Sequence, residues 1–111
     1  MPRYLISFDD GWMTFTEEEL PQVAEAAHAV AREAEKAGVW VFGGGLTHHS
    51  GVSVVGTDGS VTHGPLDKAY IGGFCVVDVA SREEALRWAA KTAVACRCAQ
   101  EVREFVPGST P

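Results

Sequence analysis

The residues of this chain best suited to moving protons are a few histidines and carboxylates. His63 stands first among them. A neutral imidazole gives or takes a proton near pH 7, and a strand end just ahead of Gly64-Pro65 would aim this one into a concave mouth. Asp67 and Asp78 are the carboxylates that could hold its far nitrogen and fix its tautomer, which makes His63, Asp67 and Asp78 the expected catalytic set. Each has a plainer reading. His63 could be a half-solvated turn residue, Asp67 a surface charge beside Lys68, and Asp78 a carboxylate serving the loop ahead of Ser81.

His48 and His49, with His63, could offer three imidazoles to a divalent ion. On a strand two adjacent residues face opposite ways and cannot easily share an ion; in a loop they can. Solvated loop histidines are the expectation, so no metal is assigned. His28 falls near the edge of a helical apolar stripe, as a boundary or dimer-contact residue would. Cys96-x-Cys98 lacks the second pair of a structural zinc site, and Cys75 inside an apolar strand reads as inert packing. Neither G-x-S-x-G nor a phosphate-cradling glycine loop is present. Gly43-Gly44-Gly45 and Gly72-Gly73 either permit bulges and close backbone contact or leave room for a ligand. On the second reading Trp40, Phe42, Gly44, Phe74 and His48 line a pocket.

The elements that must position these groups follow from periodicity. Residues 3–8 (RYLISF) form a strand that Asp9-Asp10-Gly11 stops. Thr16 and Glu19 make a capping box, and Leu20, Val23, Ala24, Ala27, Val30, Ala31 and Ala34 recur at helical spacing up to a stop at Gly38. A strand over 39–42 ends in the glycine triplet. Residues 52–55 and 60–63 flank Thr57-Asp58-Gly59 as a hairpin, and residues 70–79 form the longest strand. Ser81 and Glu84 cap a second helix through about Cys96 with the stripe Ala85, Leu86, Ala89, Ala90, Ala93, while Trp88 falls off that stripe. A charged strand over 100–105 closes the order. That order, βαβ, hairpin, βαβ, predicts an α+β sandwich of the ferredoxin-like kind.

The chain has 111 residues, 46% of them hydrophobic and 22% charged, enough for one domain over 1–106 and a flexible tail over 107–111. A net charge of −6 without a basic patch argues against nucleic acid as a partner. No run approaches the roughly 20 apolar residues of a membrane span. Three cysteines, an odd number, and no apolar leader after Met1-Pro2-Arg3-Tyr4 lead to the expectation of a reduced, cytoplasmic protein.

Two helices cover one face of such a sheet, and the other face should then be polar. Instead both faces carry large apolar side chains: Val39 and Val41 against Trp40 and Phe42, Phe74 and Val76 against Cys75, Val77 and Val79. At about 25 cal/mol per Å², hiding even a few hundred Å² contributes several kcal/mol before entropic costs. A homodimer packing sheet on sheet is therefore expected, the alternative being a monomer whose hairpin folds over the second face.

Residues 61–66 (VTHGPL) followed by 72–79 (GGFCVVDV) resemble the YCII-related family, in the branch marked by a D-G-P-F motif ahead of a G-G-F strand. Tyr4-Leu5-Ile6, Ala37-Gly38-Val39, Asp58-Gly59, residues 84–89 (EALRWA) and Glu101-Val102-Arg103 extend the likeness over about residues 3–105. His63 stands where the motif has its Asp, and Leu66 where it has its Phe. The resemblance implies a dimeric α+β barrel and no settled activity; members and fold relatives include small-molecule enzymes acting on lactones or chlorinated lactones. The expected function is acid–base chemistry on a small cyclic or carbonyl compound in a barrel pocket, of lyase or isomerase type and without an obligatory cofactor. The alternative is a non-catalytic ligand-binding or dimer-assembly domain.

Overall fold

β-Branched and aromatic side chains dominate residues 3–8 and 70–79, and these runs become the two central strands of a four-stranded sheet. A computed structural model describes residues 2–111. In chain order the elements are β1 (Arg3–Asp9), α1 (Leu20–Lys36), β2 (Trp40–Gly45), β3 (Ser53–Val55), β4 (Val61–His63), β5 (Ile71–Asp78), α2 (Arg82–Cys96) and β6 (Glu101–Glu104). The sheet runs β2-β5-β1-β6 with every neighbouring pair antiparallel, and β3 and β4 form a separate hairpin inserted between β2 and β5. This is the ferredoxin-like α+β architecture that the order of elements predicts.

Local signals start and stop the helices where the sequence places them. Glu19's carboxylate accepts from both the amide and the hydroxyl of Thr16, but the turn between them, Glu17–Glu19, is 3₁₀ and the α-helix proper begins at Leu20 with Pro21 in its first turn. Ser81 caps α2 by accepting from the Glu84 amide at 3.2 Å, while Glu84 reaches back to the Ala80 amide at 3.1 Å. Hydrogen bonds from Gly59 to Gly56 and from Ser60 to the Asp58 carboxylate shape the hairpin loop, with Gly59 at φ +83°.

The core lies between the helices and one sheet face. Tyr4, Ile6, Cys75 and Val77 meet Ala34 of α1 and Ala85 and Ala89 of α2, with Val39 and Val79 at the strand ends. The stripe on α2 differs from the one read in the sequence. Trp88 packs against this core and Leu86 is exposed, so the buried face of the helix runs through Ala85, Trp88, Ala89 and Cys96. The wide Trp88 ring reaches the sheet from the edge of the stripe, where a shorter side chain would be left in water.

A second correction concerns β2. The strand does not end at the glycines; Gly43, Gly44 and Gly45 pair with Cys75, Phe74 and Gly73. A bulge between Trp40 and Phe42 shifts the register, so that Trp40 lies opposite Val77 and Phe42 opposite Val76. Trp40 therefore faces the helices, and Phe42 the other side, where its ring meets Phe74 at 6.1 Å. Simple alternation puts the two rings on one face; the extra residue in the bulge, Val41, breaks it.

The face turned away from the helices carries Leu5, Phe42, Phe74 and Val76. Phe42 is 63% exposed. The molecule measures 42 × 42 × 18 Å, the thickness of one helix layer and one sheet. The hairpin thus lengthens the plate sideways, with Val55 and Val61 exposed, and does not close over this face as a third layer.

Gly43 and Gly44 make opposite predictions. A Cβ on Gly43 would sit 2.8 Å from Cys75 Cβ, the Phe74 carbonyl oxygen and the Trp40 ring, whereas one on Gly44 meets nothing within 4 Å. Gly43→Ala should destabilise by about 2 kcal/mol through overpacking, and Gly44→Ala should be neutral or mildly stabilising. Urea denaturation of the two variants checks the contrast.

Candidate functional site

Strand order decides which titratable groups meet. β5 lies between β1 and β2, so the residues that follow β1 and β2 approach one another across the start of β5. Asp10 follows β1, and His48 and His49 enter a 3₁₀ turn three residues after β2. Asp10 Oδ2 accepts from the His49 amide at 2.9 Å and lies 3.0 Å from His49 Nδ1. Between these two segments runs Gly72, whose missing side chain is what admits the carboxylate: a Cβ there would lie 2.6 Å from Asp10 Oδ1. The loop is held to the sheet by Asp10 N–H to the Tyr70 carbonyl and Leu46 N–H to the Gly72 carbonyl, both 2.9 Å.

The pair has a defined proton arrangement. An ionised carboxylate only accepts, so His49 Nδ1 carries the hydrogen, and in the neutral ring Nε2 is the nitrogen with the lone pair. The His49 ring stacks on Tyr70, with centroids 5.7 Å apart and planes 5° from parallel, and meets the His48 ring at 4.1 Å with the planes tilted by 35°. Tyr70 Oη accepts from the Leu66 amide at 3.0 Å, and the Lys68 ammonium lies 3.7 Å from the Tyr70 ring centroid. His48 Nδ1 accepts from the Ser50 amide at 3.1 Å. A shallow pocket of about 200 Å³ is lined by Leu46, His48, His49, Val52 and Tyr70 among others. The hydrogen bond from the His49 side chain is the largest influence on Asp10 and, against the opposing effect of burial, holds its carboxyl below the ordinary range.

Asp10, His48 and His49 can each offer one ligand atom, all within 4.8 Å of one another, so these residues could hold a divalent metal ion. The trio is not the one that the sequence points to, since Asp10 replaces His63. The adjacent histidines share a side because they sit in a turn and not on a strand.

The residues singled out from the sequence fall in separate places. His63 lies at the end of β4, exposed, with Nδ1 3.0 Å from the Ser53 hydroxyl across the hairpin. Asp67 is exposed in the loop that follows. Asp78 lies at the far end of β5, six residues beyond Gly72, and pairs with Arg3 at 3.5 Å. The structure therefore does not assemble His63 with Asp67 or Asp78; Ser53 takes the position that a carboxylate was expected to fill. Phe42, Gly44 and Phe74 share the open face, Trp40 is behind the sheet, and His48 stands with His49 and Asp10. Asp10 escaped the sequence reading because Asp9-Asp10-Gly11 looks like a strand stop. Its partner lies 39 residues away, and only the non-local order β2-β5-β1 joins them.

The thiols offer no competing nucleophile. Burial, then Cys96, pushes the Cys75 thiol up to about 11, and burial raises Cys96 and Cys98 as well. Among the described residues no helix is long and apolar enough to cross a membrane.

Because the Asp10 carboxyl is more acidic folded than unfolded, its contribution to stability is present above the unfolded carboxyl range and is lost as pH falls through the folded value. Asp10→Asn should lower the melting temperature at pH 6–7, and the gap from the parent should close on acidification below about pH 4. A pH series of thermal melts from both proteins tests this; a gap that stays constant to pH 2.5 contradicts it.

A family model for the YCII-related domain matches residues 5–107. No curated protein gives a match.

Proposed function

The chain belongs to the YCII-related family, and from that premise we propose that it is a small-molecule enzyme in which Asp10 and His49 move a proton. The observation that carries the reading is the Asp10–His49 hydrogen bond, which leaves Nε2 as a base with a fixed orientation. The pair is a base without a partner nucleophile, since burial raises all three thiols and no serine signature is present. Proton abstraction next to a carbonyl is the reaction that such a pair suits. His49 Nε2 takes the proton from carbon, the electron pair moves onto the carbonyl oxygen, and Asp10 steadies the imidazolium that forms. Return of the proton to the same or a neighbouring carbon completes an exchange or an isomerisation. Small lactones and cyclic ketones are the substrate class. The role first expected of His63 passes to His49 in this reading, because His49 has the carboxylate partner and Gly72 is kept bare beside it.

Deuterium exchange at the α-carbon of a panel of lactones and cyclic ketones, followed by NMR, tests the assignment. His49→Asn should reduce exchange by about 10²–10⁴-fold. Gly72→Ala, whose methyl displaces Asp10, should also slow it, and His63→Ala should leave it within about threefold of the parent, well under the effect of losing an acid–base group. Full activity in a folded His49→Asn variant sinks the proposal, and absence of exchange on every compound favours a binding or assembly role.

The open face supports a second part of the reading, a homodimer joined sheet to sheet. Leu5, Phe42, Phe74 and Val76 are apolar, they lie on the side without helices, and the Asp10–His49 pair stands at the end of that face. A second copy would cover the rings and wall the approach to His49, which makes the closed interior of a barrel the place of reaction. Sedimentation velocity at low micromolar concentration should show a dimer, and Phe42→Asp combined with Val76→Asp should give a folded monomer by circular dichroism. A parent protein that sediments as a single subunit refutes this part.

A further inference from the structure

A cavity of about 270 Å³ lies on the other side of the sheet, between the glycine run of β2 and the helices. Phe8, Ala31, Trp40, Gly45 and Cys75 contribute to its walls, and no Asp, Glu, Lys or Arg does. The two glycine ends of β2 and β5 are not alike in what they require. Gly73 must be bare because a Cβ would lie 2.6 Å from the Phe8 ring, and Gly43 because Trp40 and Cys75 crowd it. Gly45 has no such neighbour. A Cβ there meets nothing within 4 Å, and its φ is not in the left-handed region. A strand glycine that neither backbone nor packing demands costs stability. What its bareness does supply is open space. Gly45 pairs with Gly73 and shares the helix-side face with Cys75, so any side chain at this position would project into the cavity.

We propose that this cavity binds a small, neutral, largely apolar ring compound carrying one hydrogen-bonding group, of the phenol class. The volume fits: a closed apolar cavity of roughly 150 Å³ already holds benzene, and this one, open to solvent at the exposed Gly45 and His28, has room for a substituted ring whose polar group stays at the mouth. The lining fits as well. Trp40 and Phe8 offer ring faces and edges, and the thiol of Cys75 stays protonated and uncharged. Polar atoms are few. The Thr92 hydroxyl is spent on the Trp88 carbonyl, and the Gln100 amide nitrogen on Cys98, which leaves the His28 ring and the Gln100 side-chain oxygen to meet a ligand hydroxyl. A charged compound would find no counter-ion among these walls, and the ring it carries would meet mostly apolar surface. This site is separate from the Asp10–His49 pair. Gly72, which makes room for Asp10, points to the opposite side of β5 from Gly73 and Cys75.

The test uses p-cresol as the probe, with titration calorimetry and methyl NMR on the intact chain. The parent protein should bind it saturably, with shifts concentrated on methyls of Ile6, Ala27, Val30 and Ala31. Gly45→Val fills the cavity from the sheet and Ala31→Leu from α1; either, folded, should weaken binding at least tenfold, and Gly45→Val should not lower the melting temperature. Asp10→Asn and His49→Asn should bind as the parent does, which separates this site from the proton-moving pair. No saturable binding to the parent overturns the proposal, as do shifts centred elsewhere or undiminished affinity in the folded filling variants. If both variants fail to fold, the map of shifts on the parent decides alone.

Discussion

The alternation of side chains along β5 is the constraint from which the rest of this molecule follows. The strand is paired on both edges, by β1 and by β2, so none of its residues can turn without breaking a ladder. Every odd-numbered position from Gly73 to Val77 must face the helices, and every even-numbered one from Gly72 to Val76 the other side. Two adjacent glycines consequently do different work. One makes room for the half-buried Phe8 ring on the helix side, and the other for the Asp10 carboxylate at the end of the open face. The polar pair and the apolar cavity are thereby assigned to opposite sides of a single layer.

Much of the architecture is local enough to read from the chain. Thr16, Pro21 and Ser81 announce helix starts through hydrogen bonds or ring geometry within a few residues, and Asp58-Gly59 announces a turn in the same way. Helical spacing of small apolar residues then identifies α1 and α2 without knowledge of their neighbours. The errors lie where a neighbour decides. The bulge at Val41 responds to pairing with β5 and carries no composition of its own, so Trp40 and Phe42 could not be parted from the sequence. Trp88 looks misplaced on a helical projection because a projection has no account of ring length.

The site was less legible than the fold for the same reason. A histidine beside Gly64-Pro65 and a carboxylate near a helix cap advertise themselves by type and position, whereas Asp10 lies in what looks like punctuation. Its chemistry arises from an encounter across 39 positions of chain. Gly72 held the one clue, since a glycine inside an otherwise β-branched strand marks a close approach by something. What approached could be known only once β1, β5 and β2 were laid side by side. Membership in the YCII-related family is consistent with that arrangement but does not name the partner of any residue in it.

The irregularity in β2 has a further effect on how these molecules coexist at high concentration. That strand is the outer border of the sheet, where unpaired amides and carbonyls would otherwise invite another chain to add on. A residue too many at Val41 bends the border and breaks the even spacing that an incoming segment needs to zip along it. The opposite border, β6, is only four residues long and carries Glu101, Arg103 and Glu104. Both margins of the layer thus resist fibrillar growth, one by its shape and the other by its shortness and charge.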